Sequence, residues 1–157
     1  MTDGLCKMLW SPSIYLPSRF PAAAFRAMAR LDDPKSKGLS ERRILIVEDE
    51  AMIALDLEMS LEDAGAEVVG PAMDIETALD LATDEDDEID AAILDVDMHG
   101  KDAFAVAEAL AARGVPFLFH TGHASQAELR RRFGDVPVCI KPTRHDVLLH
   151  HLAKLVD

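Results

Sequence analysis

The chain has 157 residues, 49% hydrophobic and 29% charged, which suits one soluble globular domain with an ordinary core. No apolar run approaches the roughly 18 residues needed to span a bilayer, and Cys6 and Cys139 form neither a CxxC pair nor a metal-ligand spacing, so a reduced, cytoplasmic setting is expected. The net charge of −13 is unevenly spread: residues 1–40 carry six Lys/Arg against three Asp/Glu, and residues 41–157 carry ten against twenty-six, so the acidic part should repel nucleic acid.

Residues 1–40 read as an extension rather than part of the core. They hold Trp10, Tyr15, Phe20 and Phe25, and Pro12, Pro17, Pro21 and Pro34 break any long element except a short helix over AAAFRAMARL. No uninterrupted apolar stretch of the signal-peptide kind is present in them. The segment is expected to be mobile or adventitious, with a docking arm as the functional alternative, and the folded domain to run over residues 41–157.

From Arg42 onward the pattern becomes regular. RILIVE (43–48), EVVG (67–70), AAILD (91–95), PFLFHT (116–121) and VCIK (138–141) are apolar runs of strand length, each followed by a helical pattern. The expected core stripes of the helices are Ile53, Leu57, Leu61 and Ala64; Ile75, Leu79 and Ala82; Phe104, Ala107 and Ala111; and Leu148, Leu152 and Leu155. A fourth helix, about 124–133, has the poorest stripe, and RRR at 130–132 crowds its end. TDEDDEID (83–90) is expected to be a solvated acidic loop.

Five strands alternating with five helices predict a doubly wound, five-stranded parallel sheet of order 2-1-3-4-5, because right-handed crossovers put helices on both faces. Ligands of such sheets gather at the carboxyl ends of the strands. There the first strand ends in Glu48-Asp49 and the third, its neighbour, in Asp95, so three carboxylates should converge. Clustered anions repel unless a cation joins them, and oxygen donors without His or Cys favour Mg²⁺. Thr121 ends the fourth strand and Lys141 the fifth. A hydroxyl and an ammonium facing a metal-bound carboxylate are the groups needed to hold a transferring phosphoryl group, with Asp95 as nucleophile.

These pieces, the acidic pair in LIVEDE, Asp95 in LDVD, Thr121 in FHTGH and Lys141-Pro142 in IKP, come in one order over residues 42–157, which resemble the receiver domain of bacterial two-component response regulators, a flavodoxin-like fold. The resemblance implies that Asp95 accepts a phosphoryl group from a sensor histidine kinase or a histidine phosphotransfer protein. It also implies that Glu48, Asp49, Asp95 and the Asp97 main-chain carbonyl serve Mg²⁺, that Thr121 and Lys141 contact the phosphoryl group, and that the Lys141–Pro142 bond is cis. Such a domain self-catalyses phosphotransfer and autodephosphorylation rather than turning over a substrate.

Several positions depart from the common receiver pattern. The position three before the lysine, usually aromatic, is Val138, and the one four after the phosphoacceptor, often proline, is His99. PFLFHTGH is similar to the FAT-GUY subgroup of alphaproteobacterial receivers, which also lack the aromatic, here with His120 in place of its alanine. His123, two after the threonine, is expected to tune water access, while the HxxH spacing of His120 and His123 lacks partners for a zinc site. His145, His150 and His151 are expected on the surface of the last helix. Two alternatives stand beside this reading. One is a haloacid-dehalogenase-like phosphatase using Asp95 and Asp97 as a DxD motif, which the strand order disfavours. The other is an unphosphorylated pseudo-receiver, which the complete set of residues disfavours. Asp157 directly follows the last helix, so the expected output is contact with a downstream protein, not with nucleic acid or a membrane.

Overall fold

The computed structural model describes residues 38–122 and 126–157. The expected helix within residues 22–31 and the position of His123 lie outside the described residues. In chain order the elements are β1 (Arg43–Val47), α1 (Ala51–Asp63), β2 (Glu67–Ala72), α2 (Ile75–Thr83), β3 (Ala91–Leu94), β4 (Asp97–Met98), β5 (Lys101–Asp102), α3 (Phe104–Ala112), β6 (Phe117–Thr121), α4 (Gln126–Phe133), β7 (Val138–Ile140) and α5 (His145–Val156).

The principal sheet has five parallel strands in the order β2-β1-β3-β6-β7. This is the predicted flavodoxin-like order, with β4 and β5 standing apart as a small antiparallel hairpin that the sequence reading did not anticipate. Alternation along the strands sends side chains to two cores. Leu45, Val47, Leu94, Phe117 and Phe119 face α2, α3 and α4, whereas Ile44, Ile46, Ile93 and Leu118 face α1 and α5. The first core is ring-rich: Phe133 of α4 lies 5.4 Å from Phe119, 5.7 Å from Phe104 and 6.0 Å from Phe117 between ring centroids. Arg132 then lies over the Phe104 ring at 4.4 Å, a cation–π contact that ties α4 to α3.

The helix stripes follow the predicted periodicity with one shift. In α3 the buried positions are Val106, Ala107 and Leu110, with Ala103 before them, and Ala111 is exposed. α2 starts at Asp74, whose carboxylate accepts from the Thr77 N–H at 2.8 Å. That bond holds the Asp74 carboxyl below its ordinary value. At its other end Arg113 donates to the carbonyls of Ala82 (2.9 Å) and Asp87 (2.7 Å). The acidic stretch is therefore solvated only in part: Asp90 accepts from Arg42 and from the Arg43 N–H, and Asp87 pairs with Arg43.

β2 runs two residues beyond its predicted end, through a register shift against β1. Gly70 sits there at φ +92, and a Cβ would lie 2.7 Å from the Ala72 nitrogen, so the position requires glycine. The Gly70–Pro71 bond is cis, as is Lys141–Pro142; only the second was expected. Leu39, two residues ahead of the predicted boundary, is fully buried beside Leu57, Leu61, Leu148 and Leu152. No helix among the described residues is long and apolar enough to cross a membrane.

Candidate functional site at the carboxyl ends of the strands

The ladder hydrogen bonds continue one residue past the strands and thereby fix the polar groups that follow. The Asp95 N–H donates to the Val47 carbonyl at 2.8 Å, directly before Glu48. The Glu48 N–H donates to Ala72 O and the Lys141 N–H to Thr121 O, both at 3.0 Å. Sheet register, rather than loop geometry, thus brings together residues as distant in sequence as Glu48 and Lys141. The strand ends open onto a cleft of about 850 Å³ lined by Asp49, Asp95, His120, Thr121, Lys141 and His145, among others, with Glu48 buried beneath it.

The Lys141 ammonium is the centre of the arrangement. Its Nζ donates to Asp95 Oδ2 at 2.7 Å and to Glu48 Oε1 at 2.8 Å, with Glu50 farther off at 3.8 Å. Burial alone would lower the lysine, but the hydrogen bonds to Asp95 and Glu48 outweigh it and hold its pKa above the ordinary value. Glu48 is raised as well: burial, helped by the Asp95 charge, outweighs the lowering by Lys141.

Glu48, Asp49 and Asp95 can each offer one oxygen such that all three lie within 4.8 Å of one another. Against these three negative charges stands the one ammonium, which leaves two uncompensated, the charge of one divalent cation. Glu48 Oε2 is buried, and the group it meets is the Lys141 ammonium at 2.7 Å. An all-oxygen donor set of three clustered carboxylates with a charge deficit of two fits a hard divalent cation such as Mg²⁺.

Asp97 takes a different position from its three companions. Its N–H donates to Asp95 Oδ1 at 3.2 Å, but its carboxylate accepts from the Gly100 N–H at 2.9 Å and lies outside the cluster. Three histidines further shape the site. His120 shares the face of Leu118, is 5% exposed, and has both ring nitrogens buried without a partner. Burial, with Lys141 nearby, lowers its pKa to about 4, so the ring is neutral. His145 is not a free surface residue as expected: its Nδ1 lies 2.8 Å from Ser60 Oγ and its Nε2 3.0 Å from Asp56 Oδ2, a bridge from the first turn of α5 to α1. His99, at the tip of the β4–β5 hairpin, donates its N–H to Asp49 Oδ2 at 2.8 Å and holds its Nδ1 2.9 Å from the same oxygen. Neither bridge carries a sequence signal, since both join residues from separate elements.

Comparison with known proteins agrees with this geometry. The family model of the response regulator receiver domain matches residues 44–153. Transcriptional regulatory protein PdtaR of Mycobacterium tuberculosis is 36% identical over 104 residues, 64% of this chain and 50% of that protein. The chain thus spans about half the length of the curated relatives it matches. Among solved structures, SdrG from Sphingomonas melonis Fr1 is similar at 45% identity and a TM-score of 0.61, over 77% of this chain and 99% of that one. A response regulator receiver protein from Sinorhizobium medicae follows the fold at 25% identity and a TM-score of 0.67, over 74% of this chain and 94% of that one.

Proposed function

Because the chain belongs to the response regulator receiver family, we propose that it is a phosphoacceptor signalling protein in which Asp95 takes a phosphoryl group from a phosphohistidine. The observation that carries this reading is the placement of Asp95 between two acids, Glu48 and Asp49, and one ammonium, Lys141, with Asp49, Asp95 and Lys141 on a single cleft. An Asp95 oxygen attacks phosphorus, the P–N bond to the donor imidazole breaks, and the leaving nitrogen takes up a proton from solvent. Lys141 turns from the carboxylate to the phosphoryl oxygens as their charge grows, and Thr121, on the same cleft, donates its hydroxyl to another. Glu48, Asp49, Asp95 and the Asp97 main-chain carbonyl hold Mg²⁺, which when bound neutralises charge on the carboxylates and the phosphoryl oxygens.

The donor is a sensor histidine kinase or a histidine phosphotransfer protein, and the output is contact with a downstream protein. PdtaR is named as a transcriptional regulator, yet the surplus of sixteen negative charges in residues 41–157 disfavours a nucleic-acid surface on this domain. The phosphatase alternative loses support at Asp97, one of whose carboxylate oxygens accepts from the Gly100 N–H of its own hairpin and which lies outside the carboxylate cluster. With Mg²⁺ and a small phosphodonor, the wild type should gain one acid-stable, base-labile phosphoryl group and Asp95→Asn none. Equal labelling of the variant would remove Asp95 from this role, and sustained hydrolysis of a phosphomonoester would restore the phosphatase reading.

A further inference from the structure

The connection from β3 to α3 is not a plain loop. Asp97–Met98 pairs antiparallel with Lys101–Asp102 across a two-residue turn in which His99 and Gly100 both have positive φ, 53° and 77°. Such turns favour Asn-Gly or Gly-Gly, because most side chains are strained at positive φ. This chain places histidine there. The ring is 74% exposed, so packing does not account for it. What it does have is a partner: the main-chain N–H donates to Asp49 Oδ2 at 2.8 Å, and Nδ1 of the same residue lies 2.9 Å from that oxygen. The Asp49 side chain is only 12% exposed, and Glu48 and Asp95, both acids, stand beside it.

Repulsion from those two acids would turn the Asp49 carboxylate out toward water. The main-chain N–H of the hairpin tip and the Nδ1 beside it oppose that rotation, and by engaging Oδ2 alone they leave Oδ1 uncommitted. The geometry points to His99 as a positioning residue for the cation site, holding Asp49 by one carboxylate oxygen so that the other faces the divalent ion. This role rests on the cation reading given above for Glu48, Asp49 and Asp95. It belongs to the general pattern in which the partner of a ligating group fixes its orientation, and in which loss of that partner weakens metal affinity by about 10–100-fold.

The test is Mg²⁺ binding to the full chain, measured by titration calorimetry without any phosphodonor. His99→Gly keeps the turn, since glycine accepts its φ, and keeps the main-chain N–H, so only the ring is lost. It should bind Mg²⁺ about 10–100-fold more weakly while melting, without Mg²⁺, within a few degrees of the wild type. His99→Asn should bind within about threefold of the wild type. Its amide nitrogen is as many bonds from Cα as Nδ1, and asparagine tolerates the turn. Asp49→Ala should lose the Mg²⁺ response altogether. His99→Gly binding as tightly as wild type, or more tightly, would overturn the positioning role, the second result meaning that the ring competes with the ion. Failure of His99→Asn to restore affinity would overturn it too. Wild-type Mg²⁺ binding by Asp49→Ala would instead overturn the cation reading itself.

Discussion

A histidine whose two ring nitrogens are buried and unbonded is costlier protonated than neutral, and His120 therefore links stability to acidity. Unfolded, it titrates near 6.5; folded, near 4, because burial and the Lys141 charge oppose the proton while Asp95 favours it less strongly. Between those values the unfolded chain binds more protons than the folded one, so the full stability is present above pH 6.5 and is lost as pH falls toward 4. The shift corresponds to ~3 kcal/mol at about 1.4 kcal/mol per unit. Denaturant titrations across this window should show the wild type losing stability and His120→Leu losing much less. Glu48, with its raised pKa, works in the opposite sense, stabilising at low pH and not at high, but it is present in both proteins and cancels in the comparison. A wild type and variant with parallel pH profiles would mean that water already satisfies the ring. His120 was legible as an oddity beside Thr121, but its missing partners were not, because an unmet hydrogen bond is a property of neighbours from other elements.

Elements defined by long periodic patterns were the easiest to read, and their ends the hardest. All five principal strands and five helices follow from apolar spacing, and parallel register then delivers Glu48, Asp95, Thr121 and Lys141 to one end of the sheet. The β4–β5 hairpin escaped notice because each strand has only two residues and its turn holds histidine instead of the usual residues. The weak stripe expected of α4 is found, with Leu129 its one buried residue, and Phe133 at its last position joins the ring cluster besides. Apolar spacing carries no signal for a single anchoring residue ahead of the first strand. Leu39 lies ahead of the first strand, is completely buried, and packs on α1 and α5. Removing residues 1–37 should leave the melting temperature nearly unchanged, whereas Leu39→Ala in either background should cost about 2–5 kcal/mol in a denaturant titration, as large-to-small changes in a closed core do. A large loss on deletion alone would show that the extension contributes packing of its own.

At the scale of the whole molecule, charge is the dominant property. Residues 41–157 carry twenty-six acids against ten bases, and compaction of such a chain is opposed by self-repulsion. Added salt shortens the reach of that repulsion, to about 8 Å at physiological strength. The melting temperature should therefore rise with NaCl before levelling off. A steady fall would mean that surface pairs such as Arg42–Asp90 and Arg132–Glu108 outweigh the net repulsion. The two cores differ in a way that bears on how any such change can be watched. Trp10 and Tyr15 both precede residue 38, so the only Phe, Tyr or Trp rings from there onward are Phe104, Phe117, Phe119 and Phe133, and all four lie on the α2–α3–α4 side of the sheet. The buried hydrophobic residues of the α1–α5 side are all aliphatic. Near-ultraviolet circular dichroism of the domain freed of residues 1–37 is thus a one-sided gauge: its phenylalanine fine structure senses loosening of the α3–α4 layer and is blind to the opposite layer. In the intact chain, tryptophan emission comes from Trp10 alone, so the two optical signals divide between extension and domain without any label.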